Sequence, residues 1–290
     1  MEVRKLNKMK KAFFILVLLI GLLPIHNISA QNVLDGLYPK EHVANRKPIP
    51  YAHVREADVL WAKKIWRVID LREKINLTMY YPVTPIDDRM NLIDLLLYGV
   101  EYEGLTAYTT RDDEFKVPMT WEQVSSKMGA EADTTFVEDP ETGELVEKIV
   151  GGTIKSNEVK QVMLKEIWFF DRNYSRMDVR IIGMCPIRES VKESEGGDER
   201  VIKEQVFWIY FPEARDLFAR HEVFNPQNDA QRRTFDDIFN KRYFGSYIYQ
   251  ESNVYNNRRI EAYAAGMEAM MESERIKLQL FNIEHDMWEF

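Results

Sequence analysis

VMLKEIWFF (residues 162–170), MDVRIIGMC (177–185) and VIKEQVFWIYF (201–211) are three runs dense in Val, Ile, Phe and Trp, and they decide the fold. β-Branched and aromatic side chains suit a pleated, half-buried surface. The pieces between them are turn material: Asp171-Arg172-Asn173 after the first, and a polar stretch from Glu189 to Arg200 containing Gly196-Gly197 after the second. Strands joined so closely pair antiparallel, so a meander over about residues 162–211 is expected. Met177, Val179 and Ile181 alternate with Asp178 and Arg180, the pattern of a sheet with one wet face. The stretch from Val206 to Phe211 is apolar on both faces, which places it centrally, under helices.

Outward from this sheet the periodicity becomes helical. Trp61, Ile65, Val68 and Ile75 fall at positions 0, 4, 7 and 14 and predict a helix over residues 53–75. Asp87 or Asp88 can cap a second helix over residues 89–98, with Gly99 just past its end. Leu105, Ala107 and Thr109 suggest a short strand, and Thr120 with Gln123 makes a capping box for a third helix reaching about Met128. Residues 131–158 are acidic and turn-rich; Asp139-Pro140-Glu141-Thr142-Gly143, between Phe136-Val137 and Leu145-Val146, reads as an exposed hairpin or flap. It lacks the alternating acidic pattern of a calcium loop and reads as solvated. Beyond the sheet, Phe235, Ile238, Phe239 and Arg242 predict a helix across residues 229–244. Tyr247-Ile248-Tyr249 interrupts, and the C-terminal segment 259–290 carries an amphipathic helix that starts at about Arg258. Its face of Ile260, Ala264, Met267, Met271, Leu278 and Phe281 is read as core packing. The expected fold class is α+β, an antiparallel meander flanked by N-terminal and C-terminal helices.

Of 290 residues, 45% are hydrophobic and 30% charged, the make-up of a folded chain, and a single Cys cannot build a disulfide framework or a four-thiolate zinc site. Residues 1–30 read as a secretory signal peptide: Arg4, Lys5, Lys8, Lys10 and Lys11, then an apolar run from Ala12 to Leu23, then Pro24 and a small-residue exit. The run is too short to span a bilayer, and cleavage is expected between Ala30 and Gln31. No Cys lies near that point to take a lipid, so attachment to a membrane must pass through a partner. A Pro-punctuated extended lead (31–52; Pro39, Pro48, Pro50) then precedes a domain over 53–258. Removing the leader takes away five Lys/Arg and one Glu, leaving 34 basic and 46 acidic residues and a formal charge of −12. Nucleic acid and anionic lipid are repelled by that charge, and the densest basic runs are only Arg232-Arg233 and Arg258-Arg259.

Motifs that carry chemistry are sparse. His42, His53, His221 and His285 show no i, i+4 pairing, and His221-Glu222 lacks the second His of a zinc-protease helix. No nucleophile elbow, phosphate loop or dinucleotide fingerprint occurs. Cys185, followed by Pro186, reads as a small buried hydrophobe; the alternative is a periplasmic hydrolase using Cys185, with His221, or a carboxylate pair such as Asp87-Asp88 or Asp236-Asp237. Asp236-Asp237 fits better as the acidic first turn of a helix. The residues thus assign no catalytic group, cofactor or metal ligand.

Three segments carry a resemblance: KIWRVIDLREKINLTMYYP (64–82), MDVRIIGMCPI (177–187) and VFWIYFPEARDLFARHEVFNPQNDAQRRTFDDIFNKRYFGSYIYQESNVYNNR (206–258). They resemble the gliding motility family GldN, also called PorN, of the type IX secretion system. The resemblance implies a non-enzymatic periplasmic subunit that forms a ring with an outer-membrane lipoprotein (GldK/PorK-like), contacts a motor shaft (GldM/PorM-like) and neighbours copies of itself. Thirteen aromatic residues between Val206 and Tyr255 serve either the core or an interface. The candidate interface residues are Arg242, Tyr243, Tyr247, Tyr249, Tyr255, Arg258 and Arg259, polar-tipped aromatics beside guanidinium groups.

Overall fold

The computed structural model describes residues 42–86, 89–130, 133–138, 145–150, 152–193, 199–228 and 230–287. Contacts divide the chain into Met1–Lys40, outside those residues, and Glu41–Phe290, to which everything below belongs. The leader with Ala30 and Gln31, the pair Asp87-Asp88, the flap tip 139–144 and Gly196-Gly197 also lie outside the described residues.

In chain order the elements are β1 (Val59–Asp70), α1 (Leu77–Tyr80), α2 (Leu92–Glu101), β2 (Ala107–Tyr108), β3 (Pro118–Met119), α3 (Trp121–Lys127), β4 (Asp133–Glu138), β5 (Leu145–Val150), β6 (Val159–Asp171), β7 (Arg176–Glu193), β8 (Glu199–Gln205), β9 (Trp208–Tyr210), α4 (Phe211–Arg220), β10 (Glu222–Val223), β11 (Arg233–Thr234), α5 (Phe235–Asn240), β12 (Tyr247–Glu251) and α6 (Met267–Asp286). Eight strands make one antiparallel sheet in the order β12-β1-β6-β7-β9-β2-β3, with β8 paired to β7. The α+β class holds, and β6, β7 and β8 are the meander. The flap is an antiparallel pair, β4 with β5.

Several elements differ from their sequence reading. The segment predicted as a helix over residues 53–75 is the strand β1, paired along its length with β6 on one side and with β12 on the other. Val59, Trp61, Ile65, Trp66, Val68 and Ile69 are β-branched or aromatic; residues 59–64 alternate in burial as a strand does, but residues 65–69 are buried on both faces by the clusters packed on either side of the sheet, and that double burial mimicked a helical stripe. The strand expected over residues 201–211 is two, β8 and β9, and Phe211 opens α4, where Pro212 stands in the first turn. The polar stretch after Glu189 is also paired, since β7 continues to Glu193 against β8. Helix α2 is capped by Asn91, whose Oδ1 accepts the Asp94 N–H at 2.7 Å, and Gly99 lies inside the helix. Helix α5 is shorter than the predicted 229–244, because Thr234 caps it and the chain leaves it through Arg242 at φ +55°. The capping box at Thr120 and Gln123 is present on α3.

The core lies on both faces of the sheet. On one, α2, α4 and α5 pack Leu92, Leu96, Phe211, Phe218, Phe235 and Phe239 against Ile69, Val162, Leu164 and Met184. The rings of Phe211, Phe218 and Phe239 meet at centroid distances of 5.5 to 5.7 Å. A second cluster joins Trp66, Val68, Met163, Cys185 and Trp208, with Tyr249 packed on it. The third places Ile65 and Ile248 beneath Ile260, Ile276 and Leu280 of the C-terminal segment. Residues 43–58 clasp this body as a strap: Arg46 forms a two-pronged ion pair with Asp237 at 2.7 and 2.8 Å, Arg180 donates to the Ala52 carbonyl, and Val43 is buried.

Candidate assembly surface

The surface begins where α5 ends. Burial pushes the Asp237 carboxyl up, but the Arg46 guanidinium and the Thr234 N–H bring it down further, so it sits below the usual carboxylate range. Its neighbour Asp236 is buried and gripped by Arg215 at 2.9 and 3.2 Å, while that guanidinium stacks 4.2 Å from the Tyr51 ring centroid. The two carboxylates in the first turn of α5 therefore belong to two different arginines. Cys185 lies mid-strand in β7, fully buried, and desolvation raises its thiol well above the usual range, the opposite of nucleophile activation. His221 directs Nδ1 to the Leu217 carbonyl at 2.9 Å.

Of the seven candidate interface residues, Arg242 is turned inward. Its guanidinium meets both oxygens of fully buried Glu166 at 2.9 and 3.2 Å and stacks on Trp168 and Phe244. Removing it strands a buried charge. Tyr243 is exposed, with Arg233 5.4 Å from its ring. Tyr247 is exposed on β12, and its hydroxyl is pushed up to about 12 by partial burial and by the nearby Glu261 and Asp70 charges. Tyr249 is half-buried on the Trp66 cluster, with Arg259 5.6 Å from its ring; burial raises its hydroxyl too. Tyr255 and Arg258 stack at 5.3 Å, and Arg258 also lies 4.5 Å from Tyr263.

Between β12 and the Ile260–Ala262 turn of 3-10 helix, Asn253 organises a tight loop. Its Oδ1 accepts the N–H groups of Tyr255 and Arg258, both at 3.0 Å, and its Nδ2 donates to the carbonyls of Glu251 and Arg258. Asn256 and Asn257 both take φ +55°, which asparagine tolerates better than most residues. The loop holds Val254 and Tyr255 outward, 91% and 67% exposed.

Helix α6 covers the outer edge of β12. The Ile248 N–H, which faces away from β1, donates to buried Ser273 Oγ at 2.9 Å, and Ser273, Ile276 and Leu280 are the buried side of the helix. Of the face predicted to pack, Ile260 and Ala264 do so, whereas Met267, Met271, Leu278 and Phe281 are exposed, together with Met270. The sequence signal missed was the 269-273-276-280 stripe: Ala269 and Ser273 are small enough to let the helix approach the strand, and a scan for large apolar residues passes over them. Between β12, the 3-10 turn and α6 runs a groove of about 820 Å³.

Fold and surface together define an α+β protein with an aromatic and cationic outer edge; among the described residues no group of His, Cys, Asp or Glu could hold a metal, and no helix is long and apolar enough to cross a membrane. Residues 54–289 match the model of the family described as gliding motility associated protein GldN. The chain belongs to that family and is a component of the gliding motility and type IX secretion machinery. No curated protein matches it.

Proposed function

We propose that the chain is a non-enzymatic structural subunit of this machinery, working in the periplasm after loss of its leader. It has no lipid-accepting Cys near the cleavage point, so it is held at the outer membrane by a lipoprotein of the GldK/PorK kind. With that partner and with copies of itself it builds a ring, and it contacts a shaft protein of the GldM/PorM kind. The observation that carries this reading is the exposed edge from Tyr243 to Arg259, where tyrosines and guanidinium groups are braced by the protein's own hydrogen bonds and stacks. Tyr and Arg are enriched among the anchors of protein interfaces, and rigid presentation lowers the entropy lost on association.

Coexpression with the lipoprotein, followed by size exclusion with light scattering, tests it. The parent pair is expected to elute as one large complex. Tyr243→Ala combined with Tyr255→Ala should leave the thermal transition nearly unchanged while abolishing the large complex and secretion. Tyr249 is the wrong choice for this experiment, since it packs on the Trp66 cluster and its loss also costs core contacts. A parent chain that never joins the lipoprotein, or a double variant that still forms the large complex, refutes the reading.

A further inference from the structure

Two features of the C-terminal region complement one another; they adjoin at Arg259, whose guanidinium lies 5.6 Å from the ring of Tyr249 in the groove lining, but Val254 and Tyr255 are not among the residues that line the groove. The first is the loop tip, Val254 and Tyr255, an apolar knob almost wholly in water yet fixed by four hydrogen bonds to the Asn253 side chain. Behind it stand Arg258 and Arg259, stacked on tyrosine rings, and among the described residues neither has a carboxylate within ion-pair distance. The second is the groove between β12 and α6. Its floor is apolar and small, with Ile260, Ala264, Ala265 and Ala269, and its rim carries Asp70, Glu73, Glu261 and Glu274 with no Lys or Arg in the lining. Glu73 and Glu261 are exposed and have no cationic partner among the described residues. At about 820 Å³ the groove has the size of a site that takes a large side chain.

We infer that the occupant of this groove is the Val254-Tyr255 knob of a second copy of the chain, with Arg258 and Arg259 of one copy facing the carboxylates on the other's rim. The inference rests on the proposed role as a self-neighbouring subunit and assigns the copy-to-copy contact. Three observations favour a second copy over another occupant. The charges match in sign patch to patch, the knob supplies the apolar bulk that the alanine floor leaves room for, and both halves of the contact lie on one chain, so each copy presents both. Because knob and groove are different patches, the contact joins unlike surfaces and can repeat from copy to copy. The exposed Met270 in the groove lining extends the apolar floor with a side chain that adapts to what it meets.

Charge reversal with restoration tests this on the purified mature chain by sedimentation velocity across a concentration series. The parent is expected to self-associate. Arg258→Glu with Arg259→Glu, and separately Glu73→Lys with Glu261→Lys, should each weaken association about tenfold or more, because each sets like charges against one another across the contact. All four substitutions in one chain reverse knob and groove together and should recover most of the loss, an outcome that misfolding cannot produce. Circular dichroism of each variant checks the fold. A parent that stays monomeric at the highest concentration reached, reversals that leave association unchanged, or a fourfold variant that does not recover would each overturn the inference. If association ignores these charges while the complex with the lipoprotein still forms, the copy-to-copy assignment fails and the subunit role stands. If association obeys them and no lipoprotein complex forms, the role fails and the contact stands.

Discussion

Arg242 takes φ +55°, a left-handed conformation costly for an arginine, and thereby sets its guanidinium against the fully buried carboxylate of Glu166, to which the Trp168 indole also donates. Breaking a buried pair by removing one partner costs far more than the pair contributes, since the other charge is left in a medium that solvates it poorly. Arg242→Ala is therefore expected to lose about 3 kcal/mol in urea unfolding, and adding Glu166→Gln should recover part of that. A loss as small as that of a surface substitution would show that water reaches Glu166. Cys185→Ala, by contrast, trims one buried atom; it should cost on the order of 1 kcal/mol and leave secretion intact. A folded Cys185→Ala protein without secretion would revive the thiol chemistry. Asp70 contributes to the acid limb. Hydrogen bonds from Arg72, the largest influence, outweigh its partial burial and hold it at about 2 against an ordinary 3.8. A carboxyl depressed in the folded state contributes stability that is present above about pH 4 and is lost as pH falls toward 2. Asp70→Asn should flatten the decline of stability over that window in acid titrations followed by circular dichroism. At this scale the sequence was half legible. It marked Cys185 as core and Asp236-Asp237 as a helix's first turn, but no local pattern tells an arginine committed to a carboxylate 76 positions away from one free at an interface.

Among the elements, α2 shows how packing overrides propensity. Gly99 lies in its interior, where Ala ordinarily favours a helix by about 1 kcal/mol. A Cβ there would stand 2.6 Å from a Leu217 methyl and 3.2 Å from Leu105, so those side chains must be displaced within the packed core. Gly99→Ala should instead destabilise by about 1–3 kcal/mol, read from the midpoint of urea unfolding. A midpoint that rises would mean that Leu217 swings aside freely. The last strand depends on the last helix in a similar way: Ser273→Ala leaves the Ile248 N–H without its acceptor, and amide exchange at Ile248 should quicken while that at Leu96 in α2 stays unchanged. Legibility also varied by element. The meander, the flap pair and the capping box on α3 were readable because alternation and capping are local. β1 was not, because residues 65–69 are buried by packing on both faces of the sheet and lose their alternation there. The aromatic density from Val206 onward serves both ends: Phe207, Phe211, Phe218, Phe235 and Phe239 fill the core, Tyr243, Tyr247 and Tyr255 face water with Phe224, and Tyr210, Phe244 and Tyr249 are half-buried.

For the whole molecule, intact-mass measurement of periplasmic protein should give a chain that begins at Gln31, lighter by residues 1–30; a species that retains Met1 would overturn both the location and the need for a membrane-anchored partner. The strap adds a consequence about time. A chain threaded through a membrane N-terminus first delivers Arg46 long before Asp237, its clasp, which lies 191 positions later. Until α4 has arrived, Tyr51 has no Arg215 beneath it, and until α5 has arrived, Arg46 has no Asp237. Contacts so distant in sequence are slow to form, which makes closing the strap a late step in folding.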